Sequence, residues 1–164
     1  KPGDMEVPEF GRGNWFKQSS NTGAKWTQLE LTVFGGPYDR RKVWDNIFVD
    51  GSKMGQSGIP VAKEIGLRTL RSIIESHNNL DPADMSEAAQ SKRQISGIDQ
   101  LNGMEICAKI KVEKGTNGYA DQNKMLVVLT PNSKDFISGG AAPISSQAPQ
   151  PQSTASGPVP DWAR

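Results

Sequence analysis

The chain has 164 residues, of which 35% are hydrophobic and 23% are charged, and its formal net charge at pH 7 is +1. This length allows one domain with a real core, and the near-neutral charge gives no global sign of a nucleic-acid partner. No stretch approaches the roughly 18 apolar residues of a membrane span, no secretory signal opens the sequence, and the single cysteine, Cys107, excludes an internal disulfide and a cysteine-built zinc site. These features predict a cytoplasmic protein.

Two runs of alternating apolar and polar residues, 26–34 and 42–49, are the clearest pattern in the sequence. Such alternation predicts strands with one buried and one exposed face. The predicted core faces carry Leu29, Leu31 and Val33 in the first run and Val43, Ile47 and Val49 in the second. The opposite faces carry Trp26, Gln28, Glu30, Thr32 and Phe34 in the first run and Lys42, Trp44, Asn46 and Phe48 in the second. The loop GGPYDRR between them has the glycines and the proline that a hairpin corner needs.

The remaining elements follow from periodicity and turn signals. Residues 14–20 predict the end of a first strand. After Pro60, apolar residues at helical spacing predict a helix that ends near His77. Residues 104–112 and 125–130 predict two further strands, the second of them more buried.

A polar segment, 78–96, lies between the helix and these last strands. It is only weakly periodic, so we predict an exposed insertion. Pro82 is expected to begin a short helix within it, with Asp81 as the capping residue.

The order of elements is three strands, a helix and two strands. This order predicts an α+β protein that is mainly β, with an OB-fold-like five-stranded barrel whose helix lies between strands three and four. The folded domain is predicted to cover residues 1–131. Residues 132–164 are rich in Gly, Ala, Ser, Pro and Gln and contain few large apolar side chains, so we predict a disordered tail.

The side-chain chemistry that enzymes use is poorly represented. The single histidine, His77, is expected at the end of a helix, where a cation is favoured by the helix dipole. No glycine-rich phosphate loop ends in Lys-Ser or Lys-Thr, and no metal-ligand or nucleophile–base arrangement is visible. We therefore predict a protein that is not an enzyme, with no metal and no cofactor.

Binding of single-stranded nucleic acid requires exposed aromatic side chains for base stacking and cations for the phosphates. The sequence offers both on the outward strand positions and in the GGPYDRR loop. The predicted DNA-binding residues are Trp15, Lys17, Trp26, Phe34, Tyr38, Arg40, Arg41, Lys42, Trp44, Lys109 and Lys111. The alternative is that the lysines solvate an open face while the aromatics cover a second small core under the helix.

A resemblance to a known family favours the first alternative. The segments GGPYDRRKVWDN and AKEIGLRTLRSII, an LNG before a lysine-bearing strand, and NKMLVVL resemble a family of small bacteriophage proteins of formerly unknown function. Members of that family are regarded as single-stranded DNA-binding proteins. The resemblance covers roughly residues 15–131, and it implies an OB-like barrel and cytoplasmic work in phage DNA replication and recombination. The connection 78–96 is longer than the family's typical one.

The C-terminal layout is also similar to that of many single-stranded DNA-binding proteins, in which a hydrophobic tip docks replication and repair enzymes. Here the tip would be Pro160, Asp161 and Trp162. The usual acidic tail is absent, and a passive solubilising tail is the alternative.

The leading hypothesis is a sequence-tolerant single-stranded DNA-binding protein that coats exposed strands and recruits replication or recombination proteins through its tail. A second hypothesis is a structural or adaptor protein that binds a replication or repair protein through the aromatic face. A third is a strand-annealing recombination protein. The sequence leaves homo-oligomerisation open and predicts no membrane partner.

Overall fold

The computed structural model describes residues 5–7, 11–13, 16–116 and 118–138. The strands in these residues are β1 (Met5–Val7), β2 (Gly11–Gly13), β3 (Phe16–Gln18), β4 (Lys25–Thr32), β5 (Lys42–Asp50), β6 (Cys107–Glu113) and β7 (Gln122–Leu129). The helices are α1 (Val61–His77) and α2 (Glu87–Arg93), with 3-10 turns at Gly36–Tyr38 and Ile98–Leu101. None of the helices in the described residues is long and apolar enough to cross a membrane.

The strands form antiparallel sheets in the order β1–β2, β3–β4–β5 and β6–β7. In the central sheet, Thr27 of β4 lies opposite Phe16 of β3 and Ile47 of β5. Residues opposite each other in antiparallel strands point to the same face. The alternation predicted for 26–32 and 42–49 is therefore confirmed, because the apolar residues of β4 and β5 meet on one side of the sheet.

The core lies between this side of the central sheet, α1 and the inner end of β7. Its buried residues are Phe16, Ile47, Val49, Leu70, Ile73, Ile98 and Val128. The predicted helix after Pro60 is confirmed as α1, with Pro60 as its N-cap. Burial of this apolar stripe is the main stabilising term available to a domain of this size.

Gly66 is the point of closest approach between α1 and the central sheet. A Cβ atom at this position would overlap the carbonyl oxygen of Phe48 and would lie 3.4 Å from Cγ2 of Ile47. Gly66 is buried. The absence of a side chain therefore lets the helix backbone rest directly on β5.

Replacing Gly66 by alanine tests this contact. Alanine favours an isolated helix by about 1 kcal/mol relative to glycine, but overpacking a core typically costs about 1–3 kcal/mol. We expect Gly66→Ala to lower the free energy of unfolding in urea, because the overlap is with backbone and cannot be relieved by a side-chain rotation. Leu67→Ala, on the exposed side of the same turn, is the control and should have a smaller effect. A Gly66→Ala protein as stable as the parent would contradict the close approach.

The predicted closed barrel is wrong for the described residues. The protein is a mixed α+β fold in which β3–β4–β5 and β6–β7 remain separate antiparallel sheets. The predicted order of strands around α1 is present, with a further short hairpin, β1–β2, ahead of it. The strand β3 has only three residues, which limits its pairing, and the β6–β7 ladder is irregular between Lys109 and Ile110. Such irregularities bend strands and interrupt pairing.

Most residues of the segment 78–96 are exposed, in agreement with the predicted exposed insertion, but Leu80 and Ala89 are buried. Its helix α2 begins at Glu87, and the side chain of Ser86 caps it by accepting a hydrogen bond from the Ala89 backbone N–H at 3.3 Å. Asp81, the expected cap, instead accepts from the Ala83 N–H at 2.8 Å. Serine reaches the third residue of its own helix, whereas Asp81 lies too far upstream of α2 to cap it. Ala89 is buried.

A buried carboxylate fixes this segment. Glu75 of α1 is only 2% exposed, and its Oε1 accepts from Nε of Arg71 at 2.8 Å and from Nε of Arg93 at 2.7 Å. The Arg93 guanidinium also donates to the backbone carbonyls of Asp84 and Asp81, at 2.6 and 2.8 Å. One arginine thus ties α1, α2 and the intervening loop together.

Removing Arg93 should be strongly destabilising. Loss of one partner from a buried ion pair costs about 3–5 kcal/mol because a charge is left uncompensated, and the remaining Arg71 should keep the effect near the lower end. We expect Arg93→Met to reduce the urea midpoint clearly. Arg68→Met, which removes the exposed Glu64–Arg68 pair, is the matched control and should change stability by no more than about 0.5 kcal/mol. Equal effects of the two substitutions would show that the buried pair has no special role.

Candidate functional site

The candidate site is the side of the β3–β4–β5 sheet opposite the core, which we call the outer face. Side chains alternate between the two sides of a strand. Each residue of the outer face therefore lies between strand neighbours that point into the core. The outer face consists of Lys17 from β3, Trp26, Gln28, Glu30 and Thr32 from β4, and Lys42, Trp44, Asn46 and Phe48 from β5.

Three aromatic side chains lie along the outer face. Trp26 is directly opposite Phe48, with ring centroids 6.1 Å apart and planes inclined at 44°. Trp44 and Phe48 are 51% and 41% exposed, while Trp26 is half-buried. Strand geometry separates Trp44 from Phe48 by roughly 13 Å along β5. The aromatics of β5 therefore present accessible ring surface rather than packing under α1.

The polar groups of the outer face are linked to one another. Nζ of Lys17 donates to Oε1 of Gln28 at 3.2 Å. At the other end, Glu30 accepts hydrogen bonds from Lys42 and, at 3.3 Å, from the indole Nε1 of Trp44. The hydrogen bond from Lys42 and, next, that from Trp44 lower the pKa of the Glu30 carboxyl. Glu30 is thus an ionised carboxylate at neutral pH and offsets the charge of Lys42.

The loop after β4 brings further cations to the Lys42 end. It is closed by backbone hydrogen bonds from Val33 N–H to the Arg41 carbonyl and from Arg40 N–H to the Val33 carbonyl, both 2.8 Å. The Arg41 guanidinium lies 5.1 Å from the centroid of the Tyr38 ring, a cation–π contact. The Arg40 side chain is 91% exposed. Positive φ angles at Gly35 and Gly36, 77° and 72°, explain why glycines precede this turn.

Phe34 is not a strand residue, which corrects its predicted place on the exposed strand face. The strand β4 ends at Thr32, and Phe34 is 82% exposed in the loop. Val33 instead closes the loop through its hydrogen bonds with Arg40 and Arg41, so the strand ends earlier than the alternation alone predicts.

Lys109 and Lys111 lie on β6, in the other sheet, and not on the outer face. Lys109 forms an ion pair with Asp135 at 2.5 Å, and Lys111 is 3.8 Å from Glu113, which also pairs with Lys124 at 2.7 Å. The β6–β7 register shifts between Lys109 and Ile110, that is, between the two lysines. The expectation that they share a surface with the hairpin of β4 and β5 was wrong, because β6 pairs with β7 alone among the described strands.

Other predicted positions fall outside the described residues, namely Trp15 and the C-terminal Pro160, Asp161 and Trp162. Conversely, Phe48, Gln28 and Asn46 belong to the outer face but were not among the predicted DNA-binding residues. Their signal was present in the sequence, since each has the same strand parity as Trp26 or Trp44.

Among the described residues, no group of three or more His, Cys, Asp or Glu side chains is placed to hold a metal ion. His77, at the end of α1, has its Nδ1 3.3 Å from the backbone carbonyl oxygen of Glu105. Comparison with family models, with curated protein sequences and with solved structures gives no match for this chain. The outer face is therefore interpreted from its own chemistry: ring surfaces for stacking, amides for hydrogen bonding, and cations at both ends.

The Glu30 bridge has a pH signature. Its pKa lies below the ordinary value of 4.5 chiefly because of Lys42, so Lys42→Gln should raise it toward that value. A carboxyl with a lowered pKa stabilises the folded state above its unfolded pKa, and this contribution is lost as pH falls through the folded pKa. NMR titration of the side-chain carboxyl carbon measures the change.

Lys124→Gln is the control for this titration. It should raise the pKa of Glu113, whose carboxylate it stabilises, and leave Glu30 unaffected. A Glu30 pKa that does not respond to Lys42→Gln would contradict the bridge.

Proposed function

We propose that this chain is a sequence-tolerant single-stranded DNA-binding protein that coats exposed strands during DNA replication or recombination. The observation that carries the proposal is the pair of exposed aromatic rings, Trp44 and Phe48, on a sheet face that also presents Trp26, Gln28 and Asn46. Every base has a ring surface that can stack on an aromatic side chain, so such a face binds without reading sequence.

The positive side chains of the outer face and its loop support a path for the single-stranded DNA along β4 and β5. Lys17 lies opposite Trp26 at one end of the outer face. Lys42 and the loop residues Arg40 and Arg41 lie at the other end, beside Trp44. Cations at both ends of a row of rings can contact phosphates on either side of the stacked bases. The separation of Trp44 from Phe48 means that more than one nucleotide must be engaged.

The same geometry favours single strands over duplex. In a duplex the base surfaces are stacked on each other, so only an unpaired strand can offer them to Trp44 and Phe48. The resemblance to phage single-stranded DNA-binding proteins also supports the binding of single strands. The proposal depends on the outer face and not on closure of a barrel.

The same proposal includes the compartment in which the protein acts and the proteins that it recruits. The chain acts in the cytoplasm of the host cell as a binding protein with no catalytic step. The C-terminal residues Pro160, Asp161 and Trp162 dock replication or recombination proteins.

Loss of one stacking ring tests the proposal. Trp44→Ala should weaken binding of a fluorescein-labelled oligo-dT by about 1–3 kcal/mol, which is about five-fold to more than a hundred-fold. Fluorescence anisotropy measures the affinity, and unlabelled duplex of the same length should compete poorly. The affinity of the parent protein should fall as salt is raised, because phosphate contacts release counterions.

Tyr119→Ala is the matched control, since Tyr119 is an aromatic residue 75% exposed outside the outer face. It should bind like the parent. No binding by the parent at low salt would refute the proposal, and so would equal affinities of the parent and Trp44→Ala. If Trp44→Ala instead abolished only a DNA-independent protein contact, the adaptor function would replace the one proposed.

A further inference from the structure

Glu30 occupies an unusual position on the outer face. It is the one acidic side chain among the nine residues that define this face, and it lies directly opposite Trp44 in the β4–β5 register. Its carboxylate receives hydrogen bonds from both Lys42 and the Trp44 indole. The acid therefore holds one cation and one aromatic ring of the proposed binding surface at the same time.

A carboxylate in this place has a direct consequence for a polyanion. Lys42 shares the Glu30 carboxylate with Trp44, and Glu30 already compensates the charge of the Lys42 ammonium group. A phosphate that approaches Lys42 meets the negative charge of Glu30 as well. The carboxylate and the phosphate thus compete for the same ammonium group.

We propose that Glu30 is an intramolecular competitor of the nucleic-acid phosphate and sets an upper limit on the affinity of the outer face. On binding, the phosphate replaces the carboxylate on Lys42, and Glu30 retains its hydrogen bond from Trp44. This inference rests on the proposed function, since it assigns a role within the same site. For a protein that coats DNA, this competition favours release. A bound DNA strand is displaced more easily when the Glu30 carboxylate can take the place of the phosphate on Lys42.

The position of the bridge argues for exchange rather than for a fixed structural role. The side chains of Lys42 and Glu30 are 47% and 49% exposed, so solvent and ligand reach both. Exposed ion pairs contribute little to stability, which makes them easy to open. The buried Glu75 pair, in contrast, is shielded from any ligand, as Glu75 is 3% exposed in its side chain.

The experiment measures the affinity of the Glu30→Gln protein for a labelled oligo-dT of about 16 nucleotides. The titration is repeated at several salt concentrations. Glutamine keeps the size and an acceptor oxygen, so Trp44 retains a partner while the charge is removed. We expect binding to be about two- to five-fold tighter than for the parent, in line with the modest strength of an exposed ion pair. The slope of log K against log salt should stay that of the parent, because Lys42 contacts a phosphate in both complexes and no phosphate contact is added.

Glu64→Gln is the matched control. It changes the net charge equally and removes the carboxylate of another exposed ion pair, Glu64–Arg68, but on α1. It should leave affinity and salt slope unchanged. In the double variant Glu30→Gln with Lys42→Gln the gain from Glu30→Gln should disappear, because the freed ammonium is what binds the phosphate.

The outcomes separate this inference from the proposed function. If the parent fails to bind single-stranded DNA, the proposed function fails. If the parent binds and Glu30→Gln binds equally or more weakly, only the competitor role is overturned. Tighter binding by Glu30→Gln and Glu64→Gln alike would also overturn it, since the effect would then come from overall charge. Thermal unfolding of each variant confirms that a weaker binder is folded.

Discussion

The contact between α1 and β5 determines which side of the central sheet remains open. Gly66 lets the helix backbone rest on the carbonyl of Phe48, and Ile47 and Val49 then pack with Leu70. Because side chains alternate along a strand, committing these residues to the core directs the intervening Phe48 to the other side. The strand β5 therefore contributes residues to both the core and the outer face. Its packing against α1 determines which of its residues lie on each side.

Local periodicity was sufficient to predict the parts of the molecule that depend on local geometry. The faces of β4 and β5 followed from alternation, and α1 followed from helical spacing and Pro60. The end of β4 did not, because Val33 makes its hydrogen bonds with Arg40 and Arg41 across the loop, and the strand ends before Phe34. Alternation in a sequence does not record where such a pairing ends.

Features that depend on distant pairings could not be predicted from the pattern. Whether β5 and β7 pair depends on the geometry of the two sheet edges. The register shift after Lys109 in the β6–β7 ladder has no signal in the sequence. The ion pair between Lys109 and Asp135 could not be predicted either, because Asp135 lies beyond the residues assigned to the folded domain. On the outer face, strand parity gave the positions of Glu30 and Trp44, but not that one would bond to the other.

The arginine clamp on Glu75 constrains how the length of this protein can vary. The segment 78–96 looks dispensable in sequence because it is polar and joins two regular elements. Deleting it would remove Arg93 and the carbonyls that orient its guanidinium, and the Glu75 carboxylate would lose one of its two arginine partners. A shortened chain would need a simultaneous change at position 75, so the loop and the helix can be redesigned, or diverge, only together.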